Sequence, residues 1–415
     1  MKATPSGTLA ILVGGGPAPG INGVIASATI EAINSGLRVV GIYDGYAHLV
    51  EDDATHVTDL TQDDVAFIHS TGGSILRTSR TNPGGNPAAL EKCVAALTAL
   101  SVRYLIAIGG DDTTYGATRI AQRTQGQIGV ATVPKTIDND LPLPDNAPTF
   151  GFETARSVGA GIVENLIVDA HTAARWYLVV TMGRKSGALA LGICKAAGAD
   201  LAVIPEEFPG EELDLEAVVD TIAGAVVKRK ASGHNSGVAI VAEGIAERLS
   251  ERQLEKLARV SRDAYGNIRL GDVPIGAVLR NAVSHRLREI GAEALIVAKD
   301  IGYELRCAKP VPFDVEYTRT LGYGAVRYLL EGGSGALIAL SGGHVVPVQL
   351  SELQDPRTGR VRVRTVDVTA ESYRVARSYM TRLEPADFEE PALSRLATRT
   401  NLSPQEFRAC FEHVS

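Results

Sequence analysis

The amino-acid sequence predicts an α/β protein with two Rossmann-like three-layer domains built on mainly parallel sheets. Short apolar runs alternate with helix-length periodic segments over most of the chain, as expected for parallel strands joined by helices. Hydrophobic residues make up 45% of the chain but aromatic residues only 5%, so Val, Ile, Leu and Ala must build most of the interior. That composition is typical of buried parallel strands. A length of 415 residues suits two large domains better than one.

The elements follow one another in a regular order. An apolar strand is predicted at 9–13, and a helix at 22–34 that Gly36 ends. A second strand is expected at 37–43. Two more strands flank a helix predicted at 113–123, and the pattern then repeats to the end of the α/β region. The remaining predicted strands are 104–108, 128–133, 176–181, 201–204, 237–242, 294–297 and 336–340.

Charge and cysteine content exclude several classes of protein. The net charge is −7 and Lys/Arg blocks are absent, which argues against nucleic-acid binding. The cysteines are far apart and lack CxxC spacing, so we expect free thiols in a reducing compartment; they are Cys93, Cys194, Cys307 and Cys410. The sequence shows neither a signal-peptide pattern nor an apolar stretch of membrane-spanning length. We therefore expect a cytoplasmic protein without a membrane or nucleic-acid partner.

Chemically useful residues follow several predicted strands directly. Parallel sheets bind ligands beyond the carboxyl ends of their strands. Glycines follow the first strand at 14–20, and a Gly-Gly-Asp-Asp run follows the third at 109–112. A segment with Lys, Asp and Asn follows at 134–140, and Met-Gly-Arg follows at 182–184. We expect these segments to meet in one active site in the cleft between the two domains.

The two glycine loops predict phosphate binding. Glycine lets the backbone approach a phosphate, and a following helix N-terminus adds N–H donors. The loop at 14–20 matches neither the P-loop nor the dinucleotide fingerprint, so a simple Gly-rich turn is the alternative. At the second loop, Asp111 and Asp112 suit Mg²⁺, which is held by few carboxylates plus substrate phosphates. The alternative is a helix N-terminus capped by Asp112 or Thr113.

The segment 134–140 combines a cation with carboxylates. A turn explains Asn139 and Asp140 well, but it does not explain why Lys135 and Asp138 accompany them. A carboxylate beside a cation stays ionised near neutral pH and accepts a proton from a sugar hydroxyl. Arginines match phosphate geometry in bidentate fashion, although each can instead form a surface ion pair. The candidate phosphate-binding arginines are Arg77, Arg80, Arg175, Arg184 and Arg306.

Taken together, these motifs resemble the phosphofructokinase family. The segments 109–113, 134–140 and 182–184 occur in the family's order, and the resemblance covers most of residues 8–350. Segments 18–22, 41–46, 72–80, 241–244 and 302–306 resemble further family motifs. Asp112 and Lys135 stand where the bacterial ATP-dependent pattern has glycines, and this pair resembles the pyrophosphate-dependent members.

The resemblance implies a role for each matched residue. The donor phosphates would be bound by Gly15, Arg80 and Gly110, Mg²⁺ by Asp111, and the general base would be Asp138. The catalytic set would also include Lys135, Asp112 and Arg184. The sugar would be held by Thr136, Asp138, Asp140, Met182, Gly183, Arg184 and Glu243, and its 6-phosphate by Tyr303 and Arg306. Arg175 would reach a neighbouring subunit, which implies a homodimer or homotetramer.

The resemblance also implies a domain plan. Residues 1–148 with about 306–350 would form the donor-phosphate domain, and about 149–305 the sugar-phosphate domain. Residues from about 351 to 415 would be a C-terminal extension that packs on the second domain. Three departures from the family pattern stand out. No Asp follows the first glycine pair, Cys307-Ala308 replaces two glycines, and Val297 stands where a second subunit-crossing Arg is common.

The implied reaction is a reversible, Mg²⁺-dependent transfer of a phosphoryl group from pyrophosphate to the 1-hydroxyl of fructose 6-phosphate, in glycolysis and gluconeogenesis. Asp112 places bulk and negative charge where a nucleotide α-phosphate would sit, and that repulsion disfavours ATP. The alternatives are an ATP-dependent enzyme and one that also accepts sedoheptulose 7-phosphate. A kinase of the NAD or lipid type and a non-catalytic subunit on the same fold are further alternatives.

Overall fold

Two separate sheets form the framework in this computed structural model, which describes residues 7–250, 253, 273–353, 357 and 361–415. The described strands are, in chain order, β1 (Thr8–Val13), β2 (Arg38–Ile42), β3 (Val57–Asp59), β4 (Val102–Gly109), β5 (Gly129–Pro134), β6 (Trp176–Thr181), β7 (Leu201–Val203), β8 (Gly237–Ala242), β9 (Ile296–Ile301), β10 (Ala336–Ser341) and β11 (His344–Gln349). The described α-helices are α1 (Ile21–Asn34), α2 (Gln62–Val65), α3 (Pro87–Ala99), α4 (Asp111–Thr124), α5 (Phe152–Ala173), α6 (Ala188–Ala197), α7 (Leu215–Ala231), α8 (Gly244–Glu247), α9 (Ile275–Glu289), α10 (Tyr303–Arg306), α11 (Pro312–Leu330), α12 (Leu350–Leu353), α13 (Glu371–Ser378), α14 (Ala392–Ala397) and α15 (Pro404–Phe411).

The chain divides into two compact units. Unit 1 consists of Met1–Ala155 and Tyr303–Arg364, and unit 2 of Arg156–Gly302 and Thr365–Ser415. Each unit contains one of the two sheets. The predicted α/β class with mainly parallel sheets is confirmed.

The sheet of unit 1 has seven strands in the order β11-β10-β5-β4-β1-β2-β3. Its five central strands are parallel, and the edge strands β3 and β11 run antiparallel to their neighbours. Neither edge strand was predicted from the sequence. Because β3 has only three residues and β11 is mostly exposed or half-buried, neither produces a continuous apolar run.

Strand β1 shows that unit 1 has three layers. Leu9, Ile11 and Val13 pack in one core with residues of α1 and α11. Ala10 and Leu12 pack in a second core with residues of α3 and α4. Since successive side chains of a strand point to opposite faces, the two cores lie on opposite sides of the sheet. Such two-sided burial explains why the parallel strands read as continuous apolar runs.

The sheet of unit 2 has four parallel strands in the order β7-β8-β6-β9. One face of β6 shares a core with α7, α9 and the C-terminal segment. The C-terminal part of this core consists mainly of Leu383, Phe388, Leu393, Leu396, Phe407 and Phe411. The C-terminal segment therefore supplies part of the interior of unit 2. Nothing in the described helices is both long and apolar enough to cross a membrane.

Candidate active site

The first glycine loop of unit 1 follows β1 and is fixed by main-chain hydrogen bonds. Gly14 N donates to Ile108 O at 2.9 Å, and Gly15 N donates to Ser79 O at 2.7 Å. Gly15 has φ +82°, a conformation that favours glycine. A Cβ on Gly14 would lie 2.3 Å from Thr113 Oγ1, so close packing also requires glycine there. The loop is thus built for close backbone approach at the carboxyl end of the sheet.

The second glycine loop joins β4 to α4. Gly110 is the N-cap residue of α4 and, as a glycine, provides no side-chain cap hydrogen bond. The alternative interpretation, in which Asp112 or Thr113 caps this helix, is therefore wrong. Asp111 and Asp112 occupy the first turn of α4, where the helix dipole stabilises negative charge. Of the pair, Asp112 is exposed to solvent and Asp111 is partly buried.

Lys135 is a buried cation, only 4% exposed, that directly follows β5. Its ammonium group donates a hydrogen bond to Gly16 O. Burial lowers the pKa of Lys135 to about 8; the charge of Arg306 adds to this effect, and that of Asp138 opposes it. Asp138, the predicted base, therefore lies close enough to Lys135, the cation predicted to bind the donor phosphates, for the two charges to interact.

Arg306 lies closer to the first glycine loop than its predicted role suggests. Its Nη1 would be 3.1 Å from a Cβ on Gly16. Its guanidinium also lies over the ring of Tyr303, 4.6 Å from the ring centroid. The side chain of Tyr303 is 77% exposed. The structure thus brings Arg306, predicted for the sugar phosphate, beside Lys135, predicted for the donor.

The two candidate arginines at 77 and 80 differ in their surroundings. Arg77 forms an ion pair with Asp44 at 3.3 Å, and its guanidinium lies 5.3 Å from the ring centroid of Tyr43. Arg77 therefore fits the alternative interpretation, in which the arginine forms a surface ion pair. Arg80 is exposed, and its charge contributes to the lowered pKa of Lys135. Arg80 is therefore the one of the two near the buried cation.

The turn after Lys135 carries three residues of the predicted site. Asp138 N donates to Thr136 Oγ1 at 3.1 Å. Thr149 fixes the turn from the other side, since its N donates to Asn139 Oδ1 at 3.1 Å and its Oγ1 donates to Thr136 O at 2.7 Å. Asn139 has φ +56°, in the left-handed region. The predicted turn and the predicted functional residues Thr136, Asp138 and Asp140 thus coexist in one segment.

Arg364 is a residue of this site that the sequence analysis missed. Its Nε donates to Asn139 O at 3.0 Å, and its Nη1 donates to Ala147 O at 2.9 Å. Its own main-chain N donates to Asp140 O at 2.8 Å. Because Arg364 comes from an irregular C-terminal stretch with no strand or helix period, no local pattern identified it. It holds the turn that carries Asp138.

The predicted sugar residues of unit 2 lie on the loops that follow β6 and β8. Gly183 has φ +121°, and a Cβ there would lie 2.7 Å from Ser186 O. Gly244 N donates to Gly183 O at 3.2 Å, which joins the two loops. Arg184 Nε lies 3.7 Å from Glu243 Oε1. These two charged residues, with Met182 and Gly183, therefore form one group within unit 2.

Arg175 immediately precedes β6. Its Nε lies 3.8 Å from Asp169 Oδ2, and Tyr177 Oη donates to the same carboxylate oxygen at 2.5 Å. The side chain of Arg175 is about one-third exposed. Its reach to a neighbouring subunit stays a prediction.

The donor set around Asp111 is compatible with Mg²⁺. Its carboxylate lies in the first turn of α4 and offers the oxygen atoms that Mg²⁺ prefers. Among the described residues, Asp111 belongs to no group of three His, Cys, Asp or Glu side chains spaced to hold a metal ion. Mg²⁺ commonly keeps several waters and binds one or two carboxylates plus substrate phosphates. The residues present fit that mode of binding.

Comparison with known proteins gives consistent matches. The family described as Phosphofructokinase matches residues 8–329. The chain is 51% identical over 413 residues to pyrophosphate–fructose 6-phosphate 1-phosphotransferase of Thermotoga maritima, covering 98% of each chain. A protein of the same name from Naegleria fowleri is 46% identical over 417 residues, covering 98% of this chain and 95% of the relative.

More distant similarities extend to other donors and to solved structures. An ATP-dependent 6-phosphofructokinase of Chloroflexus aurantiacus is 31% identical over 352 residues, covering 83% of this chain and 90% of the relative. The crystal structure of a pyrophosphate-dependent phosphofructokinase from Nitrosospira multiformis superimposes with a TM-score of 0.67 at 20% identity and covers 91% of each chain. At that identity the structural match supports the fold alone.

Proposed function

The chain belongs to the phosphofructokinase family, and on that premise we propose that it transfers a phosphoryl group from pyrophosphate to the 1-hydroxyl of fructose 6-phosphate. The observation that carries the proposal is the buried Lys135 beside the glycine loops and Asp138. A compact polyanion needs a fixed cation close to backbone N–H donors, and this arrangement provides both. The names of the two relatives at 46–51% identity support the same donor and acceptor.

In the proposed mechanism Asp138 takes the proton from the sugar 1-hydroxyl as the hydroxyl oxygen attacks one phosphorus of pyrophosphate. The bridging P–O bond breaks at the same centre, and orthophosphate leaves. The positive charges of Lys135 and Arg80 offset the charge that develops on the transferring group. Gly15 and Gly110 contribute backbone N–H groups, whose positions are fixed before the reaction. Positioning and electrostatics supply most of the acceleration in phosphoryl transfer. Asp112 completes this set by disfavouring a nucleotide.

Mg²⁺ is proposed as the cofactor, with Asp111 as its protein ligand. When bound, the ion would neutralise negative charge on the donor phosphates. Within unit 2, Arg184 and Glu243 are proposed to contact the sugar, together with Met182 and Gly183. In unit 1, Thr136, Asp140, Tyr303 and Arg306 are proposed to complete sugar binding.

The reaction is proposed to be reversible, as the resemblance to the pyrophosphate-dependent members implies. We further propose a homo-oligomer in which Arg175 contacts the substrate of a neighbouring subunit. Its side chain is partly exposed, as such a role requires. A cytoplasmic location accords with free cysteines at positions 93, 194, 307 and 410.

A donor-by-acceptor matrix tests the proposal. Initial rates are measured with pyrophosphate or ATP as donor, and with fructose 6-phosphate or sedoheptulose 7-phosphate as acceptor, with and without Mg²⁺. We expect Mg²⁺-dependent turnover with pyrophosphate and fructose 6-phosphate, and little with ATP. Faster turnover with ATP than with pyrophosphate would overturn the proposed donor, and turnover restricted to sedoheptulose 7-phosphate would overturn the proposed acceptor.

A further inference from the structure

Asp314 is a buried carboxylate of unit 1 to which the proposed mechanism assigns no role. It lies in the first turn of α11, and none of it is exposed to solvent. Burial of a carboxylate is costly unless hydrogen bonds or opposite charges compensate for the lost water. The groups that bind Asp314 therefore indicate what its burial accomplishes.

Both carboxylate oxygens accept hydrogen bonds from the start of α5. Oδ1 accepts from Gly151 N at 2.8 Å, and Oδ2 accepts from Thr154 N at 2.8 Å and from Thr154 Oγ1 at 2.6 Å. The same hydroxyl accepts from Val311 N at 3.0 Å, next to α11. Burial raises the pKa of Asp314, and these hydrogen bonds oppose the rise. The carboxylate thus joins the first turns of two helices.

Asp314 provides the cap that α5 cannot obtain from its own sequence. An N-cap side chain usually accepts a hydrogen bond from the main-chain N–H two or three positions later. Gly151 directly precedes α5 and has no side chain to do so. A larger residue would be strained there, because φ is +92° and a Cβ would lie 3.1 Å from Pro19 O. The acceptor for Thr154 N therefore comes from a different helix.

The segment at 149–154, which Asp314 anchors, lies against the turn that carries Asp138. Phe150 forms a parallel β-bridge with Lys135. Thr149 donates two hydrogen bonds to the turn, at 3.1 Å and 2.7 Å. The segment therefore connects the proposed base and the buried cation to the carboxylate on α11.

Close packing with the end of the first glycine loop restricts this segment further. A Cβ on Gly20 would lie 2.7 Å from Thr318 Cγ2 and 3.2 Å from Phe150 Cδ2. Thr318 Oγ1 donates to the main-chain oxygen of Asp314 at 2.6 Å. The glycine loop, the segment and α11 are therefore packed together, and a shift of one displaces the others.

We propose that Asp314 is a positioning residue for phosphoryl transfer, which anchors residues 149–154 and thereby fixes Lys135 and Asp138 in the orientation that the reaction requires. This inference rests on the proposed function, in which Asp138 is the base and Lys135 binds the donor. Asp314 acts through the segment and not by contact with a substrate. Because rate depends more steeply than binding on the position of a reacting group, kcat should suffer more than KM.

Asp314→Asn tests the proposal in the full-length chain. The amide has nearly the same shape, but its NH₂ group faces a donor of α5 in place of an acceptor. We expect kcat to fall by about 10- to 100-fold, with little change in the KM values for pyrophosphate and fructose 6-phosphate. Rates are measured at a temperature at which unfolding curves show every variant to be folded.

Thr154 offers a milder pair of variants. Thr154→Val removes the hydroxyl that donates to Asp314, and Thr154→Ser keeps it. The valine variant should lose less kcat than Asp314→Asn, and the serine variant should stay near the parent level. In the double variant Asp314→Asn/Thr154→Val, kcat should fall by less than the product of the two single factors, because the two groups act together.

Hydrogen exchange followed by mass spectrometry gives a readout that does not depend on activity. Peptides that contain residues 135–140 should exchange faster in Asp314→Asn than in the parent chain, because the turn opens more often once its support is weakened. A different donor or acceptor would be evident in the parent chain itself. The variants are then compared with the substrates that the parent uses, so the two proposals fail separately.

The matched control is Asp220→Asn. Asp220 is also a buried carboxylate, 5% exposed, and accepts from Arg286 Nε at 2.7 Å, but it lies on α7 in unit 2. This variant should be less stable than the parent chain but should keep its kcat and its exchange at 135–140. Parent-like kcat and exchange in Asp314→Asn and Thr154→Val, equal losses in Asp220→Asn, or a rise in KM without a fall in kcat would overturn the proposal.

Discussion

The Arg364 guanidinium holds Asn139 from a position 225 residues away in the chain. It donates to the main-chain oxygen of Asn139 at 3.0 Å and also to its side-chain Oδ1. Asn139 follows Asp138 directly and has φ +56°. The C-terminal segment therefore fixes a left-handed residue next to the proposed base, and Arg364 acts as a positioning residue.

Removal of this contact should reduce turnover more than substrate binding. We expect Arg364→Met to lower kcat by about 10- to 100-fold, because a small displacement of a reacting group has effects of this size. The KM for pyrophosphate should change little, and added guanidinium ion should restore part of kcat. The kcat of Arg364→Lys should lie between those of the parent chain and Arg364→Met, because Lys keeps the positive charge but lacks the planar guanidinium.

Arg362→Met is the matched control for Arg364. Arg362 lies two positions earlier, is exposed, and donates to Glu352 O at 2.5 Å instead of to the turn. Its kcat should stay at the parent level. Equal losses in both variants, or a rise in KM without a fall in kcat, would contradict a positioning role for Arg364.

The lowered pKa of Lys135 predicts a pH effect on donor use. Burial lowers that pKa to about 8, so the free enzyme loses the positive charge as the pH rises through about 8. The kcat/KM for pyrophosphate should therefore fall above this pH. Lys135→Arg stays protonated, so its profile should lack the fall. Identical profiles for the two proteins would assign the titration to another group.

The same shift affects stability with a defined sign. Because the pKa is about 8 in the folded protein and 10.5 in the reference state, the unfolded chain binds more protons between these values. The contribution of Lys135 to stability should thus rise with pH over this window. The unfolding free energy of Lys135→Met should therefore rise less with pH over this window than that of the parent chain.

Substitution of Asp138 tests the proposed base. Asp138→Asn keeps the size of the side chain but cannot accept the hydroxyl proton in the same way. We expect kcat to fall by about 10²–10⁴-fold, while fructose 6-phosphate binding measured by calorimetry persists. Near-normal turnover would remove Asp138 from the mechanism.

Asp112 is proposed to determine the donor. The side chain is exposed in the first turn of α4, where its bulk and charge can act on an incoming nucleotide. Asp112→Gly should therefore raise kcat/KM for ATP and lower that for pyrophosphate. An unchanged ratio of the two values would show that another feature selects the donor.

Breaking a buried ion pair in unit 2 should strongly lower the free energy of unfolding. Arg382 Nη2 lies 2.6 Å from Glu207 Oε2, and the side chains are only 4% and 5% exposed. Loss of one partner leaves an uncompensated buried charge, so Arg382→Met should lower the unfolding free energy by about 3–5 kcal/mol. The double variant Glu207→Gln/Arg382→Met should be less destabilised than the sum of the single variants. Strict additivity in urea or thermal unfolding would argue against the pair.

The sequence by itself determined the α/β class, most central strands and the segments that follow them. Continuous apolar runs such as Trp176–Thr181 encode a strand buried on both faces, so a local pattern is enough to predict it. Glycines at 14 and 109 are required because Thr113 approaches both closely, and they were visible as loop motifs. Family-specific residue pairs such as Asp112 and Lys135 were likewise readable without coordinates.

Only the tertiary structure decided which distant residues support those segments. The contacts of Arg364 with the turn at 136–140 and the proximity of Arg306 to Gly16 depend on chain segments brought together by folding. The edge strand β11 also escaped prediction, because pairing with β10, not an apolar run, defines it. A segment that is buried against a sheet has a periodic or continuous apolar pattern, which can be recognised in the sequence. A hydrogen bond between remote positions produces no such pattern in either segment, so only the folded structure shows it.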